Sequence, residues 1–105
     1  MEVICATNDI ARDSARRFLV KNYDLIVVHR YGRFYAYRNE CPHMNLPLTN
    51  HSKGIIDENQ KHLVCIQHRA EFDIENGSCV RGPCQGMVLE HVNIETKNGK
   101  LFLKE

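Results

Sequence analysis

No apolar run in this chain approaches the roughly 20 residues that cross a membrane as a helix. Charge of one sign is equally scarce: 14 basic residues stand against 13 acidic ones, a net of +1. That balance gives neither nucleic acid nor an anionic membrane surface an electrostatic handle. The opening segment, Met1-Glu2-Val3-Ile4-Cys5-Ala6-Thr7, lacks the basic and long apolar stretches of a secretory signal. There is no Ser/His/Asp grouping and no phosphate-cradling loop, so no catalytic constellation is outlined. Low-complexity tracts, linkers and internal repeats are also missing. The length of 105 residues therefore predicts one domain, 1–105. The chain does have cysteine, five in all, an odd number with no export signal. That argues against a secreted disulfide scaffold and for metal or redox use in a reducing cytoplasm.

Short runs of branched and aromatic residues between turn signals predict an all-β fold. Leu25 to His29 and Phe34 to Arg38 flank Tyr31-Gly32 as a hairpin. Ile55-Ile56 and His62 to Cys65 flank the polar stretch Glu58-Asn59-Gln60-Lys61 as a second. Phe72 to Ile74 leads into Asn76-Gly77, a strong turn signal. Val88 to Thr96 alternates in its second half, turns at Asn98-Gly99 and returns through Leu101 to Leu103. Asn8 to Lys21 is read as containing a short helix starting at Asp9-Ile10-Ala11-Arg12, although Arg17 to Val20 has strand character.

The chemistry concentrates in two segments, Cys41-Pro42-His43 and Cys65-Ile66-Gln67-His68. Each offers one thiolate and one imidazole at a spacing that a single tight loop can present. A [2Fe–2S] centre with two thiolates on one iron and two imidazoles on the other needs this, because each loop must touch both irons. Zinc also accepts two Cys and two His. Structural zinc sites usually pair Cys with Cys and His with His, whereas the pairs here are mixed. Cys79 and Cys84 bring no accompanying ligands and read as small apolar residues under a loop, with a disulfide left open. Cys5 reads as a buried strand residue. His29, His51, His62 and His91 read as ordinary surface or half-buried histidines, and Arg12, Arg16 and Arg17 as a solvated basic face.

The stretches YAYRNECPHMNLPLT and VCIQHRAEFDIENG resemble the two cluster loops of the Rieske ferredoxin family, and the likeness runs over almost the whole chain. The stretch GSCVRGPCQGMVL is similar to a subgroup of small stand-alone members, and Gly82-Pro83 falls at the family's third loop. The resemblance implies the all-β Rieske iron–sulfur fold: three antiparallel sheets, with a cluster-binding subdomain of about residues 41–86 inserted in a β base. It implies one [2Fe–2S] cluster per chain, held by Cys41, His43, Cys65 and His68. Met44, Leu46, Pro47 and Pro83 would rim that cluster. Two loop positions depart from the family pattern: Asn45 and Arg69 stand where glycine is common. The high-potential branch has an inter-loop disulfide where Leu46 and Gln67 stand here, and hydroxyl side chains where Ala70 and Phe72 stand.

The function so implied is one-electron transfer, with no catalytic residues. The expected protein is a cytoplasmic, monomeric carrier that takes electrons from a flavin reductase and passes them to a terminal oxygenase or another oxidoreductase. Neither nucleic acid nor a membrane is an expected partner. A small subunit of a nitrite reductase-like complex shares fold and size and stays open as an alternative.

Overall fold

Leu25, Ile26, Val27 and Val28 are fully excluded from solvent. A strand with four consecutive buried residues must be covered on both faces, since successive side chains point to opposite sides. In the computed structural model, which describes residues 1–42, 45–67 and 69–104, those residues form the middle of the central strand. Three antiparallel strands, β2 (Ser14–Val20), β3 (Tyr23–Arg30) and β4 (Arg33–Arg38), make the middle sheet in the order β2-β3-β4. A second sheet joins the chain ends in the order β1-β10-β9: β1 (Glu2–Ala6), β10 (Lys100–Leu103) and β9 (Ile94–Lys97). The third is a meander of β5 (Ile55–Ile56), β6 (His62–Val64), β7 (Glu71–Asp73) and β8 (Cys79–Arg81).

The alternation along β3 divides the interior into two cores. Leu25 and Val27 pack with Ile10, Ala36, Val92, Leu101 and Leu103. Ile26 and Val28 pack with Tyr37, Leu48, Leu63, Phe72 and four cysteines: Cys41, Cys65, Cys79 and Cys84. The second core therefore lies under the meander and contains both candidate thiolate ligands. Tyr37 anchors the meander to the middle sheet, because its buried hydroxyl donates to the Ile74 carbonyl at 2.5 Å.

The hairpins sit where the turn signals predict them. Tyr31-Gly32 and Asn98-Gly99 are two-residue turns with positive φ at both positions, the type whose twist matches the flanking strands. The expected helix between Asn8 and Lys21 is corrected. A single 3₁₀ turn, Thr7–Asp9, is all the helix there, and the rest from Ser14 is β2. Pairing decides this: all seven residues of β2 face partners on β3, and no helical repeat of apolar residues competes. That register also corrects the reading of Arg17 as solvated. Asp24 lies opposite Leu19 and hence diagonal to Arg17. The Arg17 guanidinium donates to both Asp24 carboxylate oxygens at 2.8 Å. The strand expected over Val88 to Thr96 is paired as a strand only from Ile94. Before it, Val88 and His91 make isolated bridges to Ser78 and Tyr37. Among the described residues no helix is long and apolar enough to cross a membrane.

Candidate metal centre

Two loops carry the same backbone frame. In the first, the Cys41 amide donates to the Leu46 carbonyl at 2.7 Å, and the Asn45 amide donates back to the Cys41 carbonyl at 2.7 Å. In the second, the Cys65 amide donates to the Ala70 carbonyl at 2.9 Å, and the Arg69 amide donates to the Cys65 carbonyl at 2.9 Å. In each case the cysteine binds the residues four and five positions on. The turn closes through a left-handed residue, Asn45 at φ 57° and Arg69 at φ 55°. These are the two positions where the family pattern favours glycine, so the backbone conformation is kept although the residue is not. Cys41 and Cys65 are buried, 1% and 0% exposed, and no disulfide joins any of the chain's cysteines.

The loops are tied to each other and to the sheet behind them. The Ile66 amide donates to the Leu48 carbonyl at 3.0 Å, a direct strap between the second loop and the first. Asn39 and Thr49 close the base of the first loop. The Asn39 side-chain amide donates to the Thr49 carbonyl at 3.0 Å, and its carbonyl accepts from the Thr49 amide at 3.1 Å. Both residues are buried, so the pairing excludes water from the loop's root. Nothing in the sequence singled out Asn39; a polar residue beside a metal loop reads as surface until its burial is known.

A third loop leans on the second. Gly82 has φ 106°, and a Cβ placed there would stand 2.9 Å from the Ala70 Cα. Only glycine permits both that backbone and that approach. Cys79 and Cys84 lie beneath this loop as expected, both buried, with their Sγ atoms 2.8 Å apart. Burial chiefly pushes the Cys84 thiol up, helped by contact with Cys79 and Cys41. Leu46 and Pro83 are exposed and Pro47 is half-buried. His43, Met44 and His68 lie outside the described residues. Cys5 is a half-buried member of β1, its thiol pushed up to about 11 by burial first and Asp9 second.

Among the described residues one other cluster could hold a cation: Asp57, His62 and Glu71, with ligand atoms within 4.8 Å of one another. Its members satisfy each other. His62 Nδ1 is 2.7 Å from Asp57 and 3.5 Å from Glu71, and Arg81 reaches Glu71 at 3.8 Å. Two further histidines make structural contacts: His29 bonds the Ile10 carbonyl and stacks on Phe34, and His91 bonds the Asn76 carbonyl.

The donor chemistry fits an iron–sulfur centre. Two buried cysteines stand on matching loops, and the sequence puts one histidine two or three residues after each, the donor set of a mixed thiolate and imidazole centre. The chain is 25% identical, over 100 residues, to the ferredoxin component of the alkene monooxygenase system of Xanthobacter autotrophicus, covering 95% of this chain and 77% of that protein. Its fold matches the ferredoxin of Sphingomonas yanoikuyae B1 with a TM-score of 0.81 at 21% identity, over 98% of this chain and 96% of that one. It also matches a chain in a complex of reduced oxygenase and oxidised ferredoxin of carbazole 1,9a-dioxygenase. There the TM-score is 0.78 at 25% identity, over 96% and 89% of the two chains. The model of the Rieske [2Fe-2S] domain matches residues 1–95. On that match, and with both cysteine loops inside it, the chain belongs to the Rieske [2Fe–2S] domain family and carries a [2Fe–2S] cluster.

Proposed function

We propose that this protein is a one-electron carrier whose cluster is held by Cys41 and Cys65 on one iron and by His43 and His68 on the other. The observation that carries the assignment is the repeated frame around Cys41 and Cys65, with a left-handed residue four positions after each. When bound, the cluster supplies one reversible electron and makes or breaks no substrate bond. The chain's own residues hold and shield it. The two cysteines lie in the apolar core under the meander, Asn39 and Thr49 close the first loop, and Gly82 seats the third loop on the second. The reading takes 1–105 as a single Rieske domain with a cluster-binding subdomain of about 41–86.

The donor would be a flavin reductase, the acceptor a terminal oxygenase or a similar oxidoreductase, and the setting the cytoplasm, with the protein a monomer. Likeness to ferredoxins that match this chain over most of their length favours the carrier over a permanently bound nitrite reductase-type subunit. The test is ligand replacement. His43→Ala and His68→Ala should each lose iron and the EPR signal of the reduced protein, and should unfold at lower temperature because the cluster ties two loops together. Full iron content in both variants would exclude this ligand set.

A further inference from the structure

Cys79 and Cys84 are not used by the assignment above, yet their placement is more specific than apolar packing requires. Their sulfurs stand 2.8 Å apart, within about 1 Å of a disulfide bond length of about 2.05 Å. The loop between them is already closed by backbone bonds at both ends. The Cys79 amide donates to the Met87 carbonyl, and the Met87 amide donates to the Cys84 carbonyl, each at 2.9 Å. The Gln85 side chain spans the same loop to the Val80 carbonyl at 3.2 Å. The entropy of bringing the two thiols together is therefore already lost in folding. Val80 to Pro83 and Gln85 to Val88 are all exposed, so the pair lies directly under the surface.

We propose that Cys79 and Cys84 are a reversible redox pair that closes to an intraloop disulfide and lowers the potential of the neighbouring cluster. The oxidant is a low-molecular-weight disulfide. The Cys79 thiolate, on the more exposed of the two residues at 7% against 1%, attacks one sulfur of that disulfide and expels a small thiolate. Cys84 then attacks the mixed disulfide at Cys79, forming the Cys79–Cys84 bond and expelling the second small thiol. Two protons and two electrons pass from the pair to the small disulfide, which leaves as two thiols. The coupling to the cluster runs through Cys84. Cys84 shares one buried core with Cys41, the proposed iron ligand. Donors to cluster sulfur favour the reduced state, and the disulfide has no S–H left to donate. The same bond would tighten the third loop, whose Gly82 rests on Ala70 in the second cluster loop.

The coupling rests on the Rieske assignment, whereas the dithiol chemistry does not, and the test separates them. Iron-loaded protein is equilibrated in buffers of varied oxidised-to-reduced glutathione ratio, acid-quenched, alkylated after denaturation and mapped by mass spectrometry. Expected is a linked Cys79–Cys84 peptide, reversed by dithiothreitol, with unchanged iron content. Voltammetry of the linked form should give a lower potential than that of the dithiol form. Cys79→Ser should keep its iron and show neither the link nor the redox-dependent shift; Cys79→Ala serves where the serine variant folds poorly. Alkylation of both thiols at every glutathione ratio, or glutathione held stably on Cys79 without closure, overturns the redox pair. A link with no change in potential overturns the coupling. A reduced wild type with no EPR signal overturns the cluster assignment and leaves the thiol mapping valid.

Discussion

Asn45 and Arg69 show how much one backbone angle decides. Each closes a ligand loop from the left-handed region, at φ 57° and 55°. Holding a residue with a Cβ there costs roughly 1–2 kcal/mol, and asparagine is strained least because its short amide bonds locally. A β-branched side chain is the worst occupant. Asn45→Val should therefore lower stability by about 1–2 kcal/mol. Arg69→Gly should be neutral or stabilising by up to about 1 kcal/mol, because relief of strain exceeds the added freedom of the unfolded chain. Thermal midpoints of the iron-loaded variants test the order Arg69→Gly, wild type, Asn45→Val. An Asn45→Val protein melting with the wild type would show that the loop tolerates another closure. The sequence alone made these two positions look like departures from the family. They are departures in residue and not in conformation, and a list of residues cannot distinguish the two.

At the scale of elements, the hairpins were legible because their signals are local. Tyr31-Gly32 and Asn98-Gly99 form the expected two-residue turns, and Ile55-Ile56 pairs with Leu63 and Val64 across the expected polar turn. The errors lie where tertiary contacts decide. Asn8 to Lys21 carries weak local preference, and only pairing with β3 makes Ser14–Val20 a strand. The β5–β6 hairpin also contains a pH-dependent brace. Burial pulls the Asp57 carboxyl up, but the His62 side chain and the Lys61 and His62 amides hydrogen-bond it and together hold it below the usual carboxylate range. Glu71 faces the same imidazole from β7, and Arg81 faces Glu71 from β8. A lowered folded value means that Asp57 stabilises the fold above its unfolded value of about 3.9. That stabilisation is lost as pH falls through the lower folded value. Asp57→Asn should thus melt below the wild type at pH 7, by about 1 kcal/mol, and the gap should shrink as pH falls below about 4. Far-UV circular dichroism of both proteins across that range measures it. A gap that is constant with pH would mean that Asp57 acts through shape and not through charge.

At the scale of the whole molecule, the two cysteine loops were legible because their chemistry is compressed into two short motifs. Their surroundings were not, since they come from distant segments: Asn39 beside Thr49, Leu48 beside Ile66, Gly82 on Ala70. Those surroundings set the remaining property, the potential. Hydrogen-bond donors to cluster sulfur raise it, because they stabilise the added negative charge. The high-potential branch supplies hydroxyls from the positions of Ala70 and Phe72. Here both residues are fully buried and neither has a hydroxyl to donate. The inter-loop disulfide of that branch is replaced by an ordinary backbone bond, from the Ile66 amide to the Leu48 carbonyl. Arg69 acts in the opposite sense, since a nearby cation favours reduction. Its side chain is exposed, however, and solvent and salt screen an exposed charge. The loss of two buried donors outweighs one screened cation. With its thiols reduced, the protein should therefore have a potential near the bottom of the Rieske range, on the order of −150 mV. That value suits a carrier between a nicotinamide-linked flavin reductase and an oxygenase, and is too low for a quinol oxidant. Protein-film voltammetry at neutral pH decides the point. Ala70→Ser, placing a hydroxyl where the high-potential branch has one, should move the potential upward. A clearly positive potential in the wild type would remove the low-potential assignment and the carrier role that depends on it.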